Sequence, residues 1–232
     1  MYLLTETASP FALERWAAFF ANFGQFAKGF FYTLGISIGA LIVALLLGLI
    51  FGAMSSTHNK VLRGISRVYV EIFQNTPLLV QFVVVFYGIS ILTDGHVMIP
   101  ISLTAILCVG VYTGADISEI IRTGIEAVPK GQTEAALSQG FTYADTMRII
   151  ILPQAVRTIL PPLTNQVVNL IKNTSTVAII SGADIMFTAK AWAYDTTNYV
   201  PAFAGAAFLY FIMCFPLATW ARRKEEENKK AY

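Results

Sequence analysis

Residues 134–153 read EAALSQGFTYADTMRIIILP, from Glu134 to Pro153, a polar, helix-forming island between two long apolar runs. Val128, Pro129, Lys130 and Gly131 punctuate its start, and residues 132–138 are good helix formers. Gly140 supplies a residue tolerant of positive φ where that helix should end. Thr142 or Asp145 can cap a second short helix beginning about Thr142. The expected product is a helix-turn-helix at a membrane surface. A chain otherwise buried in lipid keeps such a segment in water for contact with a soluble partner. Ala135 and Ala136 leave a low profile that can enter a groove, and Glu134 offers a charge that fixes register against a basic partner.

The rest of the chain supplies the membrane. Of 232 residues, 56% are hydrophobic and 13% charged, about half the charged fraction of soluble domains. The mean hydropathy is +0.62. A net charge of +2 with no basic aromatic patch gives no argument for nucleic acid. Cys108 and Cys214 both lie in apolar runs and read as packing residues rather than a disulfide. The N-terminal stretch has acidic and aromatic residues, with neither a basic leader nor a short apolar core before small residues, so no cleavable signal peptide is expected.

Five apolar runs read as crossings: residues 30–54, 68–92, 99–121, 149–180 and 199–221. The first has no charge over 25 residues, enough to cross about 30 Å of hydrocarbon with tilt. Its Gly35, Gly39, Gly48 and Gly52 allow close helix packing. The runs lack alternating polarity, which excludes a β-barrel. The expected fold is therefore all-α and polytopic, with five transmembrane helices. Basic residues set its orientation. Lys60, Arg63 and Arg67 follow the first run, Arg122, Lys130 and Arg148 follow the third, and Arg222, Arg223, Lys224, Lys229 and Lys230 follow the fifth. The opposite loops hold only Lys190. This puts the C-terminus and the 134–140 segment in the cytoplasm and the N-terminus outside. Residues 1–29 read as an extracytoplasmic segment with an interfacial helix over 11–23, residues 30–221 as the transmembrane unit, and residues 222–232 as a solvated charged tail that fixes topology.

The stretch resembles the EAA signature of permease subunits of bacterial binding-protein-dependent ABC importers. Residues 76–81 (TPLLVQ), 124–132 (GIEAVPKGQ), 152–157 (LPQAVR) and 170–175 (LIKNTS) are similar to the polar amino acid uptake subfamily. The resemblance covers about residues 30–221. It implies a two-permease membrane core, identical or paired with a sister chain, two cytoplasmic ATPase subunits, an extracytoplasmic amino acid-binding protein, and location in the bacterial inner membrane. Glu134, Ala135, Ala136 and Gly140, within a coupling helix pair at 131–147 between spans three and four, would carry closure of the ATPase dimer to the membrane. ATP and magnesium belong to the partner, since this chain has no GxxxxGK[ST] loop. Many relatives have Arg-Gly or Arg-Asn before Thr76-Pro77, where Gln74-Asn75 stands here, so preference for ligand charge stays open.

Ionisable groups inside spans are costly and face the bundle interior or water. Glu71 and Arg157 lie near cytoplasmic ends, where snorkelling suffices. Asp116 and Glu119 share a face at i and i+3, and Lys172 lies near Asn165, Asn169, Asn173 and Thr174. Two readings stand side by side. Asp116 or Glu119 faces Lys172 across a cavity where a zwitterionic amino acid binds, or they form a structural ion pair. Asn75 and Thr76, beside Pro77, are further pathway candidates, because a helix broken at Pro77 or at Pro161-Pro162 would free backbone groups to line a cavity. A simple kink is the competing reading. His58 and His96 are loop residues without clustered metal ligands, and no Ser/His/Asp set is present. The expected function is ATP-driven import of a polar amino acid, the chain itself not being an enzyme. The alternatives are a proton-driven secondary amino acid transporter relaying through Asp116, Glu119 and Lys172, and an assembly factor that docks a cytosolic protein and carries nothing.

Overall fold

The computed structural model describes residues 9–230; for 224, 225 and 227–230 this extends to the backbone course. Residues 1–8 of the expected N-terminal segment and 231–232 of the expected tail lie outside the described residues. The chain order is α1 (Leu13–Ala21), α2 (Phe23–Ser55), α3 (Lys60–Gln74), α4 (Leu78–Val83), α5 (Ile89–Leu92), α6 (Ile101–Glu126), α7 (Lys130–Ser138), α8 (Tyr143–Asp145), α9 (Leu152–Asn173), α10 (Ile185–Thr196) and α11 (Tyr199–Lys230). Wide π turns at Val84–Gly88 and Thr146–Ile151 join α4 to α5 and α8 to α9, and a tight 3-10 stretch, Thr174–Ile180, follows α9. No strand occurs among the described residues.

Three helices, α2, α6 and α11 over Tyr199–Arg223, are long and apolar enough to cross a membrane. A fourth crossing results if Lys60–Gln74 and Leu78–Leu92, bent by 96° at their junction, count as one span. The run 68–92 is therefore not one straight helix, as its composition suggested. The run 149–180 falls short for a physical reason: it is divided among a π turn, α9 and a 3-10 stretch, and α9 carries Gln154, Arg157, Asn165, Gln166, Asn169 and Lys172. The third run begins at Ile101 rather than 99 because Pro100, at φ −55°, starts the helix. α11 continues as helix through the charged stretch 222–230.

The core is a seam between α2 and α6, which run parallel. A methyl group on Gly39 would come within 2.8 Å of Ile106, on Gly48 within 2.4 Å of Ile117, and on Gly52 within 2.8 Å of Ile121. The arrangement is reciprocal: Gly110 receives Val43 and Gly114 receives Leu47. Bare backbone on each helix thus accepts branched side chains from the other, giving dispersion contact where water is not available to drive association. Gly35 faces open space and takes no part. α9 joins through Ile159, which fills the notch at Gly124. Pro161 and Pro162 lie inside α9 without ending it. A second cluster forms around Phe19, Phe26 and Trp192, whose rings meet edge to face at 4.8–6.0 Å. It ties α1 to α2, α10 and α11. Arg15 Nη1 adds hydrogen bonds to the Thr197 carbonyl and Asn198 Oδ1, both at 2.9 Å.

Candidate functional site

The 134–140 segment lies in an elbow whose geometry is local in origin. Gly140 sits at φ +87°. Its N–H donates to the Leu137 carbonyl at 3.0 Å, and the Phe141 N–H donates to the Ala136 carbonyl at 3.1 Å. These two bonds form a Schellman closure, which satisfies the last carbonyls of α7 and needs a left-handed residue at the turn. Thr142 then caps α8, its hydroxyl oxygen accepting the Asp145 N–H at 3.2 Å. Glu134, Ala135, Leu137 and Phe141 are exposed, while Ala136 is only 4% exposed. Ala136 therefore packs inward, within the elbow, and is not the groove-entering surface its size suggested. Ala135 keeps that property.

Above the elbow opens a polar cleft of about 1370 Å³. The elbow contributes Lys130, Thr133, Tyr143 and Thr146; α6 contributes Ser118, Glu119, Arg122 and Glu126; α3 contributes Lys60, Arg63, Arg67 and Gln74, and Asn75 follows at its C-terminal end. Arg122 holds two carboxylates: Nε donates to Glu119 Oε2 at 2.9 Å, Nη2 pairs with Glu119 Oε1, and Nη1 meets Glu126 Oε2 at 2.5 Å. Ser118, 1% exposed, has a hydroxyl with no hydrogen-bond partner among the described residues. His58, expected to stand alone, meets the Tyr143 ring edge to face at 4.7 Å and links the α2–α3 loop to the elbow.

The bend between α3 and α4 forms one end of the cleft, and side chains there answer four of the carbonyls around it. Asn75 Nδ2 donates to the Glu71 carbonyl at 2.8 Å and to Glu71 Oε2 at 2.9 Å. Thr76 Oγ1 donates to the Ile72 carbonyl at 2.8 Å. Gln81 Nε2 reaches back to the carbonyls of Phe73 and Thr76, both at 3.2 Å, and to Thr76 Oγ1 at 2.9 Å. Gln74 Nε2 donates to Asp116 Oδ1 at 3.1 Å and so fastens the bend to α6. Of the two proline sites, Pro77 breaks a helix and Pro161-Pro162 does not.

The expected meeting of Asp116 or Glu119 with Lys172 does not occur within one chain. Asp116 is held by Gln74 and Glu119 by Arg122, while Lys172 lines a separate groove of about 280 Å³ with Met186, Phe203 and Tyr210. Asn169 Nδ2 donates to its helix neighbour Gln166 Oε1 at 3.3 Å. Thus Asn75 and Glu119 reach the cleft, Asp116 touches it through Gln74, and Asn169 and Lys172 stand apart.

One residue of consequence escaped the sequence reading. Asp184 is 1% exposed and caps α10, accepting the Phe187 N–H at 2.9 Å and the Met186 N–H at 3.2 Å. Tyr210 OH on α11 donates to Asp184 Oδ2 at 3.0 Å, and the neighbouring Ile185 N–H donates to Thr33 Oγ1 on α2 at 3.1 Å. Burial pushes the Asp184 carboxyl up to about 6, against the opposing pull of its backbone and Tyr210 hydrogen bonds. The signal was present in the sequence: an Asp directly before Ile-Met-Phe is a helix-start pattern.

An all-helical membrane protein with a helix pair turned out of the bundle and a polar cleft directly above it has the layout of a transport subunit worked from one side. The chain belongs to the family of binding-protein-dependent transport system inner membrane components, whose model matches residues 44–225. It is 37% identical over 216 residues to the "Probable glutamine ABC transporter permease protein GlnM" of Bacillus subtilis (strain 168), covering 92% of this chain and 97% of that one. It is 33% identical over 208 residues to the glutamate/aspartate import permease protein GltJ of Escherichia coli (strain K12), covering 82% and 85%. The crystal structure of an amino acid ABC transporter with histidines superposes with a TM-score of 0.84 at 30% identity, covering 91% of this chain and 98% of that one. The inward-facing MetNI methionine ABC transporter, at TM-score 0.69 and 16% identity, shares the fold. The family is one of transport permeases, which sets the proton-driven alternative aside.

Proposed function

We propose that this chain forms the translocation path for ATP-driven import of a polar amino acid across a bacterial inner membrane. The elbow is the contact for a separate ATPase. The observation that carries the reading is the sharing of one cleft by the elbow and the bend: Lys130, Thr133, Tyr143 and Thr146 face the same space as Asn75 and Glu119. Displacement of the elbow therefore changes the wall of the path without an intermediary. Glu134, Ala135, Leu137 and Phe141 form the ATPase-facing surface, and Gly140 fixes its shape. Five crossings follow if α4 with α5, and α9 with its 3-10 extension, are counted beside the three long helices. The N-terminus then lies outside and the C-terminus inside, as the basic loops require.

The names of the relatives place glutamine and acidic amino acids among the cargo classes to test. A second permease copy or sister, an extracytoplasmic binding protein, and ATP with magnesium at the partner complete the machine. The test is reconstitution with the ATPase and binding protein, followed by a screen of amino acids for stimulated ATP turnover and uptake. Stimulation by a polar amino acid, abolished by Glu134→Lys, supports the reading. Uptake driven by a proton gradient without ATPase refutes it.

A further inference from the structure

The helix α3 is strongly amphipathic. At about 100° per residue its positions sort into three arcs about a third of a turn apart. Lys60, Arg63, Arg67, Glu71 and Gln74 form a polar arc. Ser66 and Tyr69 form a packed arc, buried against α2 and α6. Val61, Ile65, Val68 and Ile72 form a third arc, apolar and uncovered, at 69, 49, 59 and 52% exposure. The polar arc lies opposite the midpoint of the other two, as in helices that lie along a membrane surface.

The contacts of α3 give its direction. From Ser66 to Gln74 the helix advances about 12 Å. Ser66 Oγ donates to the Phe51 carbonyl on α2 at 2.8 Å, and Gln74 donates to Asp116 on α6 at 3.1 Å. In the parallel seam Ile117 sits at the height of Gly48, so Phe51 and Asp116 differ by about four residues, or about 6 Å, in height. Between them the Tyr69 ring stacks on Phe51 at 4.0 Å, and its hydroxyl donates to the Val111 carbonyl at 2.7 Å. α3 thus travels across α2 and α6 more than along them, and the 96° turn into Leu78–Leu92 follows.

We propose that α3 is an in-plane interfacial helix rather than half of a span. Val61, Ile65, Val68 and Ile72 seat in the acyl boundary, and Lys60 and Arg67 hold the phosphates of anionic phospholipids. Charge complementarity selects the occupant. Arg67 is 80% exposed and meets Glu71 only at 3.8 Å, and Lys60, at the start of the helix, forms no ion pair among the described residues. Both lie on the polar arc, and their long side chains can reach headgroups beside the seated apolar arc, where anionic lipid is the available counter-charge. Assignment to the cytoplasmic leaflet rests on the permease reading; the in-plane placement does not. The arrangement lets lipid charge bear on the cleft, since the same polar arc forms one of its walls.

The test uses the full chain in nanodiscs, with Cys108 and Cys214 replaced by alanine and single fluorophore-bearing cysteines at 61, 65, 68 and 72. Brominated lipids report depth. The four labels are expected at depths within about 8 Å of one another, the slope set by the contacts of Ser66 and Gln74, whereas a spanning helix separates 61 from 72 by about 16 Å. A depth ramp of that size overturns the proposal. So does shielding of the labels from lipid, which would mean that a second copy or another protein covers the stripe. In discs mixing phosphatidylglycerol with phosphatidylcholine, quenching at position 68 by spin-labelled phosphatidylglycerol is expected to exceed that by spin-labelled phosphatidylcholine. Lys60→Gln and Arg67→Gln each lower that preference by about fivefold. A preference absent in the parent, or unchanged in the double variant, overturns the headgroup assignment. Neither readout uses nucleotide or cargo, so each fails independently of the importer reading.

Discussion

Replacing Gly140 with valine tests the elbow most directly. The residue sits at φ +87°, and a Cβ built there meets nothing within 4 Å. Crowding is therefore not the issue, and backbone conformation is. A β-branched residue held in that region costs about 1–3 kcal/mol. Taking about 2 kcal/mol, the population with an open turn rises about 30-fold. Opening also releases the bonds from Gly140 to Leu137 and from Phe141 to Ala136, each a net contribution of about 1 kcal/mol. Glu134, Ala135 and Phe141 then lose their fixed relation to one another. The assay is cargo-stimulated ATP turnover of the reconstituted assembly, with amide exchange over residues 137–143 as the structural readout. The expected result is normal membrane insertion, faster exchange across the turn and loss of stimulation. Gly140→Asn, which tolerates positive φ, should retain most stimulation. Gly131→Ala, at a position with open space and ordinary φ, should retain all of it. Full stimulation in Gly140→Val, with exchange accelerated, would refute the claim that a rigid elbow carries the coupling.

Gly48→Val drives a side chain into Ile117 and should cost about 1–3 kcal/mol by overpacking, read as a lower thermal midpoint in detergent. Gly35→Ala, facing open space, should show no such loss. Gln81→Glu replaces the donor to Phe73 and Thr76 with an acceptor-only group, leaving the part-buried Phe73 carbonyl unanswered at about 1 kcal/mol; unchanged thermal stability would show that this side chain does not hold the bend. Asp184 predicts a pH dependence. Its carboxyl is raised from 3.8 to about 6, so its contribution to stability is fully present below pH 3.8 and is lost as pH rises through about 6, a swing of about 3 kcal/mol. Asp184→Asn should remove that slope from thermal unfolding, and equal slopes in both proteins would refute it.

The crossings were readable where the chemistry is one-dimensional. A charge-free stretch such as 30–54 has few alternatives to a membrane helix, and glycines spaced by four and nine residues announced a close packing face. The elbow was readable for a related reason: Gly140, Thr142 and Asp145 act through hydrogen bonds within a few residues. Reading failed where the answer lies across the bundle. Pro77 and Pro161-Pro162 look alike in sequence, yet only Pro77 breaks a helix, where Gln74 fastens the bend to Asp116 on α6 and Asn75, Thr76 and Gln81 answer nearby carbonyls. The amphipathic pattern of α3 was obscured by starting the run at Val68, because the basic residues before it were counted as a loop. The grouping of Lys172 with Asp116 and Glu119 assumed that polar groups in membrane helices find one another, whereas Gln74 and Arg122 already occupied those carboxylates. Asp184 depends on Tyr210 and Thr33, neither near it in sequence.

The interlocked glycines of α2 and α6 have a consequence for motion. Five branched side chains are keyed into bare backbone at successive heights, from Ile106 to Ile121. Sliding one helix past the other by a single turn would force each key over a ridge before it could drop into the next notch. Such a pair moves as one beam. Any rocking that opens the path must therefore swing lighter parts about that beam, with the helix break at Pro77 as a place where the bundle can articulate.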